Sequence, residues 1–417
     1  MARLFKLENK IKHYDWGSPE WIPRLLEREN TDGSPWAELW MGVHPEGPSE
    51  TRYNDESIAL PGLINRDPSL YLGEGAARAF GSLPFLFKLL AAAKPLSIQV
   101  HPNLEQAALG WERENRAGIA LGAPNRNYKD QNHKPEILCA LSPFKALCGF
   151  REPEQIIKRL EALAFPSLAP LIEALASGGS SPGGLKDFLK GLLTLPRAAR
   201  DGLTRHIIEQ SGGLEKTHPA YAEEWEYAAY FAGLYPGDPS ALAPLYLNLI
   251  SLAPGQAIFL PAGILHAYIY GFGVELMANS DNVLRGGLTP KYIDVDELLN
   301  ILEFAPRSPE ILLPREIQPS FFTYRTPCRE FSLSMMTGTG GRTIFPEAGP
   351  LILLLTQGEL SIDSGEGEGL VLRKGESAFI AARPRGEDLV FSGTYTLYAA
   401  GIGSAGSGAA GDGAVSP

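Results

Sequence analysis

The sequence predicts a mainly β protein interrupted by an all-helical insertion, and three observations carry that expectation. Short apolar runs separated by Pro, Gly and Asn occupy residues 83–149 and resume after Pro236. Between them, from Glu152 to about Pro236, apolar residues recur at helical spacing. Two nine-residue stretches far apart in the chain, PGQAIFLPA (Pro254–Ala262) and KGESAFIAA (Lys374–Ala382), share a glycine turn followed by an alternating strand, as two related β-barrel units would.

Taken in order, PFLFKLL, PLSIQV, EILCAL and FKALCGF read as buried strands or short helices. In the helical block Ile156, Ile157, Leu160 and Leu163 share one face, and Leu185, Phe188, Leu189, Leu192 and Leu193 do likewise. Tyr221, Trp225 and Ala229 continue the pattern, and breakers such as GGSSPGG at 178–184 separate the helices. The β character returns with LYLNLISLAPGQAIFLPAGILHAYI, a short helix is expected over about Val295–Glu303, and 306–400 reads as strand and turn. The expected division is one unit from 1–151 with 237–305, a helical insertion at 152–236, a second β unit at 306–400, and a disordered Gly/Ala/Ser tail at 401–417. Four residues after the first repeat stands His266; the same offset in the second lands on Gly386, so only the first unit is expected to hold a polar site.

Composition narrows the function. The 37 Lys and Arg against 48 Asp and Glu give a net charge of −11, which counts against nucleic acid or an anionic membrane as partner. Cys139, Cys148 and Cys328 form no CxxC pair, and three cysteines make no disulfide framework, so a reducing, cytoplasmic address is expected. The first residues carry charges where a signal peptide needs an apolar stretch, and the run Leu83 to Val100 is broken by Lys88 and Lys94.

Three segments could carry chemistry. In Ser97-Ile98-Gln99-Val100-His101-Pro102, a strand would turn Ser97, Gln99 and His101 to one face. In His133-Lys134-Pro135-Glu136, proline favours extended geometry at Lys134 and puts Lys134 and Glu136 on one face at the mouth of an apolar strand. In Pro261-Ala262-Gly263-Ile264-Leu265-His266-Ala267-Tyr268, His266 and Tyr268 share a face, and the glycine turn and strand before His266 match a cupin-type metal motif. Each alone reads as well as an exposed strand face, a surface ion pair or a core histidine. Together they offer two imidazoles, a carboxylate and an amide oxygen, a nitrogen/oxygen donor set that suits a divalent metal such as zinc. His13, His44, His206 and His218 read as structural or surface residues; His44-Pro45 imitates His101-Pro102, but Gly42 stands where a ligand would be. A fourth segment, from Asp281 through Arg285 to Lys291, sets fixed positive charge among turn residues, able to grip a phosphate or a developing oxyanion. Lys88, inside PFLFKLL, is costly if it faces inward unless an anion meets it.

SIQVHP, NHKPEIL, PAGILHAY and NSDNVLRGGLTPKYID, in this order, resemble the signature segments of the type I phosphomannose isomerases, and PFLFKLL, WAELWMGVHP and KALCGFR are also similar. The resemblance covers most of residues 1–305 and thins beyond 306; at Gly286 the family more usually has alanine. It implies a pair of cupin-like jelly-roll units with an inserted helical domain, and one zinc held by Gln99, His101, Glu136 and His266. It implies interconversion of mannose 6-phosphate and fructose 6-phosphate through a cis-enediol. Arg285 would stabilise charge, Lys134 and His133 would move protons near the metal, and Asp281 would open the ring. Lys88, Ser97, Tyr268 and Lys291 would bind substrate, the first two at the phosphate. The partner is then a small sugar phosphate, and a monomer is expected. The donor set alone also admits an iron cupin dioxygenase or a non-catalytic sugar-binding cupin, while a fused pyrophosphorylase is disfavoured because no Gly-rich nucleotide loop opens the chain.

Overall fold

The computed structural model describes residues 3–403 except 180, 366–368 and 385–386. The tail expected to be disordered therefore lies, from 404 onward, outside the described residues, while Gly401 ends a strand. The chain is mainly β with a helical block, built on two large antiparallel sheets of eleven and eight strands.

The larger sheet runs through Ala257–Leu260, Glu136–Ala140, His266–Ala278, Phe85–Ala92 and Glu38–Gly42. Its central strand, His266–Ala278, changes partners along its length. The first residues pair with Phe144–Phe150 and, through His266, with Ile98–Val100; Gly271–Ala278 pair with Phe85–Ala92. The corner falls at a register shift between Tyr268 and Tyr270 and at Gly271, whose φ of +135° and closeness to the Phe144 ring exclude any side chain.

These strands are buried on both faces, and alternation sorts their residues between two environments. Phe85, Phe87, Leu89 and Ala91 join Ile137, Cys139, Val274 and Leu276 in a core that continues into Ile352, Leu354, Phe379 and Tyr398 of the smaller sheet. Leu86, Lys88 and Leu90 therefore face the other way, with Glu136, Leu138 and Glu275. This disposition places two carboxylates and a lysine side by side in apolar strands.

The helical block comprises Pro153–Leu163, Ala169–Gly178, Pro182–Leu193, Arg197–Thr217 and Ala222–Leu234. Its core, built on Trp225, Phe188 and Phe231, is continuous with Ile98, Val100, Leu265, Ala267 and Ile269. The helices thus cover one face of the strands whose opposite face carries Gln99, His266 and Tyr268.

Three features depart from the expectations. The first strand, Leu4–Leu7, pairs with Ser377–Ile380, so residues near the start of the chain join the smaller sheet before the larger one is built. A helix at Leu104–Arg116, within the stretch read for its apolar runs, starts at a capping box formed by Asn103 and Gln106. The helix expected over Val295–Glu303 stops at Ile301. The two echoed stretches form the strands Ala257–Leu260 and Ser377–Ile380, one in each sheet, each preceded by a left-handed glycine, Gly255 and Gly375.

Candidate functional site

The strand pairing assembles the site from distant segments. Gln99 is the register partner of His266 on one side and of Arg285 on the other, so these three side chains share a face of the sheet. His101 follows directly after the short strand Ile98–Val100. Glu136 begins its own strand opposite Met277. Gly263, at φ +80°, makes the turn that brings His266 to the start of its strand and donates its N–H to the His101 carbonyl at 2.9 Å.

His101, Glu136 and His266 converge, with one ligand atom from each lying within 4.8 Å of the others. All three are at most 2 % exposed. The imidazole Nδ1 of His101 lies 2.7 Å from the Asn282 carbonyl, and that of His266 lies 2.9 Å from the Ile264 carbonyl. A carbonyl only accepts, so each ring carries its proton on Nδ1 and turns an Nε2 lone pair inward. Those two Nε2 atoms approach Glu136 at 3.3 and 3.4 Å, yet His101 Nε2, His266 Nε2 and Glu136 Oε2 have no hydrogen-bond partner. Three buried acceptors facing one another repel unless a cation lies among them. Burial, outweighing Glu136, lowers the His101 pKa to about 4 and keeps the ring neutral, as a ligand must be. Burial opposes charge on Glu136, but the Lys134 ammonium beside it holds its carboxyl well below the usual range. The residues therefore fit a dication, and Gln99 lines the cavity beside them as a candidate fourth donor.

The cavity measures about 640 Å³ and is bordered by Gln99, Glu136, Lys134, Ser97, Tyr268, Asp281, Arg285 and Lys291 among others. Lys134 Nζ lies 3.3 Å from Glu136 Oε1. Asn282 ties the layer behind: its side chain accepts the Lys129 N–H and donates to the carbonyls of Asp130 and Asn132, while its own carbonyl holds His101. Burial of the Tyr268 hydroxyl, reinforced by Glu275 and Glu136, drives its pKa well above the ordinary tyrosine value.

Two sequence-derived assignments meet different surroundings. Lys88 does face inward, but the anion that meets it is protein: Glu275 at 2.9 Å and Glu38 at 3.8 Å. Burial would discharge it, but these carboxylates outweigh burial and raise its pKa. His133 does not border the cavity; its Nε2 lies 3.1 Å from Glu330 Oε1, on a carboxylate also bound by Cys328 Sγ at 3.0 Å. His133, expected to move protons near the metal, thus has its Nε2 on Glu330 rather than on the cavity wall.

Glu330 invites a test. Burial raises its pKa, but His133, Cys328 and Arg329 together hold it at about 2. Because the folded pKa lies below the unfolded one, the stabilisation is complete above the ordinary carboxylate value of about 4.3 and fades as pH falls toward 2. Glu330→Gln is expected to lower stability by about 1–2 kcal/mol at neutral pH. Its gap to the wild type should close through that acid window, as read from urea unfolding at stepped pH.

Residues missed from sequence include Glu38, Glu275, His44 and Lys129. A carboxylate inside an apolar strand was the available signal for the first two. Arg285, Lys129 and Lys291 make no ion pair with a described residue. Burial, then the charges of Arg285 and Lys129, lower the Lys291 pKa, the signature of cations crowded without an anion.

Among the described residues no helix is long and apolar enough to cross a membrane. Residues 4–153 match the family model for the catalytic domain of type I phosphomannose isomerase. The chain is 38% identical over 381 residues to the mannose-6-phosphate isomerase of Escherichia coli, covering 90% of this chain and 94% of that one. A mutant of the phosphomannose isomerase from Salmonella typhimurium superposes with a TM-score of 0.87 at 36% identity, covering 96% of this chain and all of the other. A mannose 6-phosphate isomerase solved with zinc bound matches with the same TM-score, identity and coverage. With its buried histidine–carboxylate cluster reaching the cavity through Glu136, the chain belongs to the type I phosphomannose isomerase family of enzymes.

Proposed function

We propose that the protein interconverts mannose 6-phosphate and fructose 6-phosphate with one zinc per chain, held by Gln99, His101, Glu136 and His266. The observation that carries this reading is the three buried, unpartnered acceptor atoms of His101, Glu136 and His266, aimed at one point beside a sugar-sized cavity. Bound zinc supplies a positive centre that orients sugar hydroxyls and favours negative charge on their oxygens. The rest is the work of side chains.

Asp281, on the cavity wall, takes the proton whose removal opens the sugar ring. Lys134, beside Glu136, moves the proton between C2 and C1 through a cis-enediol. Arg285 keeps its charge at any working pH and so stabilises the enediolate oxygens rather than exchanging protons. Ser97 and the cation cluster of Lys291 and Lys129 receive the phosphate, since Lys88 is already neutralised by Glu275 and Glu38 and serves to shape the inner wall. Tyr268 offers a buried, un-ionised hydroxyl to a substrate oxygen.

The same reading takes the two sheets as cupin-like jelly rolls: a site-bearing unit of 1–151 with 237–305, a helical insertion at 152–236 and a second unit at 306–400 without a metal site. The matching strands after Gly255 and Gly375, one in each sheet, support that kinship. A monomer in the cytoplasm, acting on a small sugar phosphate with no nucleic-acid or membrane partner, completes it.

Feeding mannose 6-phosphate and following fructose 6-phosphate, with and without chelator, tests the reading. Turnover that stops on chelation and returns with zinc supports it. Binding without conversion by the zinc-loaded protein, or substrate-dependent oxygen uptake after iron loading, overturns it. Lys291→Ala should raise KM about tenfold, the loss of about 1.4 kcal/mol of phosphate contact, with kcat nearly unchanged. Steady-state kinetics giving the opposite split would move the phosphate elsewhere.

A further inference from the structure

His44 stands just past the strand Glu38–Gly42 and is 3% exposed. Its sequence context reads as structural, since Gly42 stands where a ligand would be, yet its ring is held on three sides. The backbone N–H of Glu46 donates to its Nδ1 at 3.3 Å. Trp40 meets it edge to face, with ring centroids 4.8 Å apart at 79°. Its Nε2 lies 3.4 Å from Asp281 Oδ2.

The first contact decides the tautomer. An Nδ1 that accepts a hydrogen bond carries no proton, so the neutral ring keeps its proton on Nε2, facing the Asp281 carboxylate. Asp281 is tied at its other end by the Asp130 carboxylate, which accepts its backbone N–H at 2.7 Å. Its Oδ1 takes no hydrogen bond from a described residue, while its side chain is 28% exposed and borders the cavity. One carboxylate oxygen is thus anchored and the other left for whatever enters.

We infer that His44 is a positioning residue for proton transfer at Asp281, fixing which carboxylate oxygen meets the anomeric hydroxyl of the sugar. The inference rests on the isomerase reading above. In the step concerned, Asp281 takes the proton of the anomeric hydroxyl. The C1–O5 bond breaks and its electron pair goes to O5, which is protonated from water; Asp281 then returns its proton to water. His44 exchanges no proton in this step. Its N–H holds the ionised carboxylate in one orientation, and a carboxylate free to rotate loses part of the advantage of a fixed geometry.

The test uses the zinc-loaded full chain and a double-mutant cycle. In His44→Asn the side-chain oxygen can still accept the Glu46 N–H, but no donor reaches Asp281. In His44→Gln the terminal amide reaches the place of Nε2. His44→Asn is expected to lower kcat about tenfold with KM within about twofold, a modest share of what misplacing a reacting group can cost. His44→Gln should recover most of that loss. In an Asp281→Asn background, His44→Asn should change kcat by less than about twofold. Zinc content and melting temperature, measured on every variant, separate these effects from misfolding, and the glutamine variant with its own Asp281→Asn double carries the cycle if the asparagine variant is unstable. Equal losses in the two His44 variants, a His44→Asn enzyme within twofold of wild type, or losses that multiply in the Asp281→Asn background overturn the inference. A wild-type protein that binds zinc but converts no mannose 6-phosphate overturns the isomerase reading, and the inference falls with it.

Discussion

His101→Ala is expected to remove the bound metal and to abolish turnover together. In the folded protein His101 contributes a neutral Nε2 whose orientation is set by the 2.7 Å contact of Nδ1 with the Asn282 carbonyl. Without that ring, one imidazole, the Glu136 carboxylate and the weaker amide oxygen of Gln99 remain, a donor set much poorer at holding zinc against competing water. Metal content by atomic absorption should fall from about one equivalent to near zero, and activity should fall by about three orders of magnitude or more. Excess zinc in the assay should recover little of it. The repulsion argued above adds a second readout. Apo wild-type protein buries three acceptors without a counter-charge, so zinc should raise its melting temperature, whereas His101→Ala should show almost no zinc-dependent shift. A variant that keeps full zinc occupancy and rate would falsify the ligand set.

Arg285→Ala separates charge stabilisation from metal binding. Arg285 is the register partner of Gln99, two strands from His266, and it is half-buried at the cavity without an ionic partner among the described residues. Burial lowers its pKa, but a guanidinium begins so high that it stays charged. Removing it should leave zinc content unchanged and lower kcat by about 10²–10³-fold, the range for losing one preorganised group that meets developing charge. Arg285→Lys should recover only part of this, because an ammonium lacks the planar fork. A loss confined to KM would reassign Arg285 to the phosphate. Loss of zinc in Arg285→Ala would mean instead that the neighbouring strand depends on it.

These two outcomes also test how far the chain could be read without coordinates. The ligand segments were legible because each sits at a strand start or turn, where proline and glycine mark the geometry: Pro135 before Glu136, Gly263 before His266, Pro102 after His101. The helical block was legible because its apolar residues keep a 3.6-residue period against a solvent face, as Ile156, Leu160 and Leu163 do. His44 and Glu330 were not legible at all. Their importance lies only in what they touch, Asp281 and His133, which lie 237 and 197 residues away in sequence.

The sequence by itself determined the chemistry available: two histidines, a carboxylate and an amide that suit a divalent metal, and a mainly β chain interrupted by helices. What only the tertiary structure decided is the side to which the inner strands turn their polar residues. PFLFKLL and EILCAL carry no alternation because both faces are buried, one against the second sheet and one toward the site, so no period-two pattern separates them. Pairing fixed that choice by setting Lys88 opposite Glu275 in the register of the central strand. Lys88 thereby became a neutralised wall of the cavity, and the unpaired cations Arg285, Lys291 and Lys129 were left to meet an anion. A buried charge goes where an opposite charge can be found, and partners that far apart in the chain meet only once it is folded.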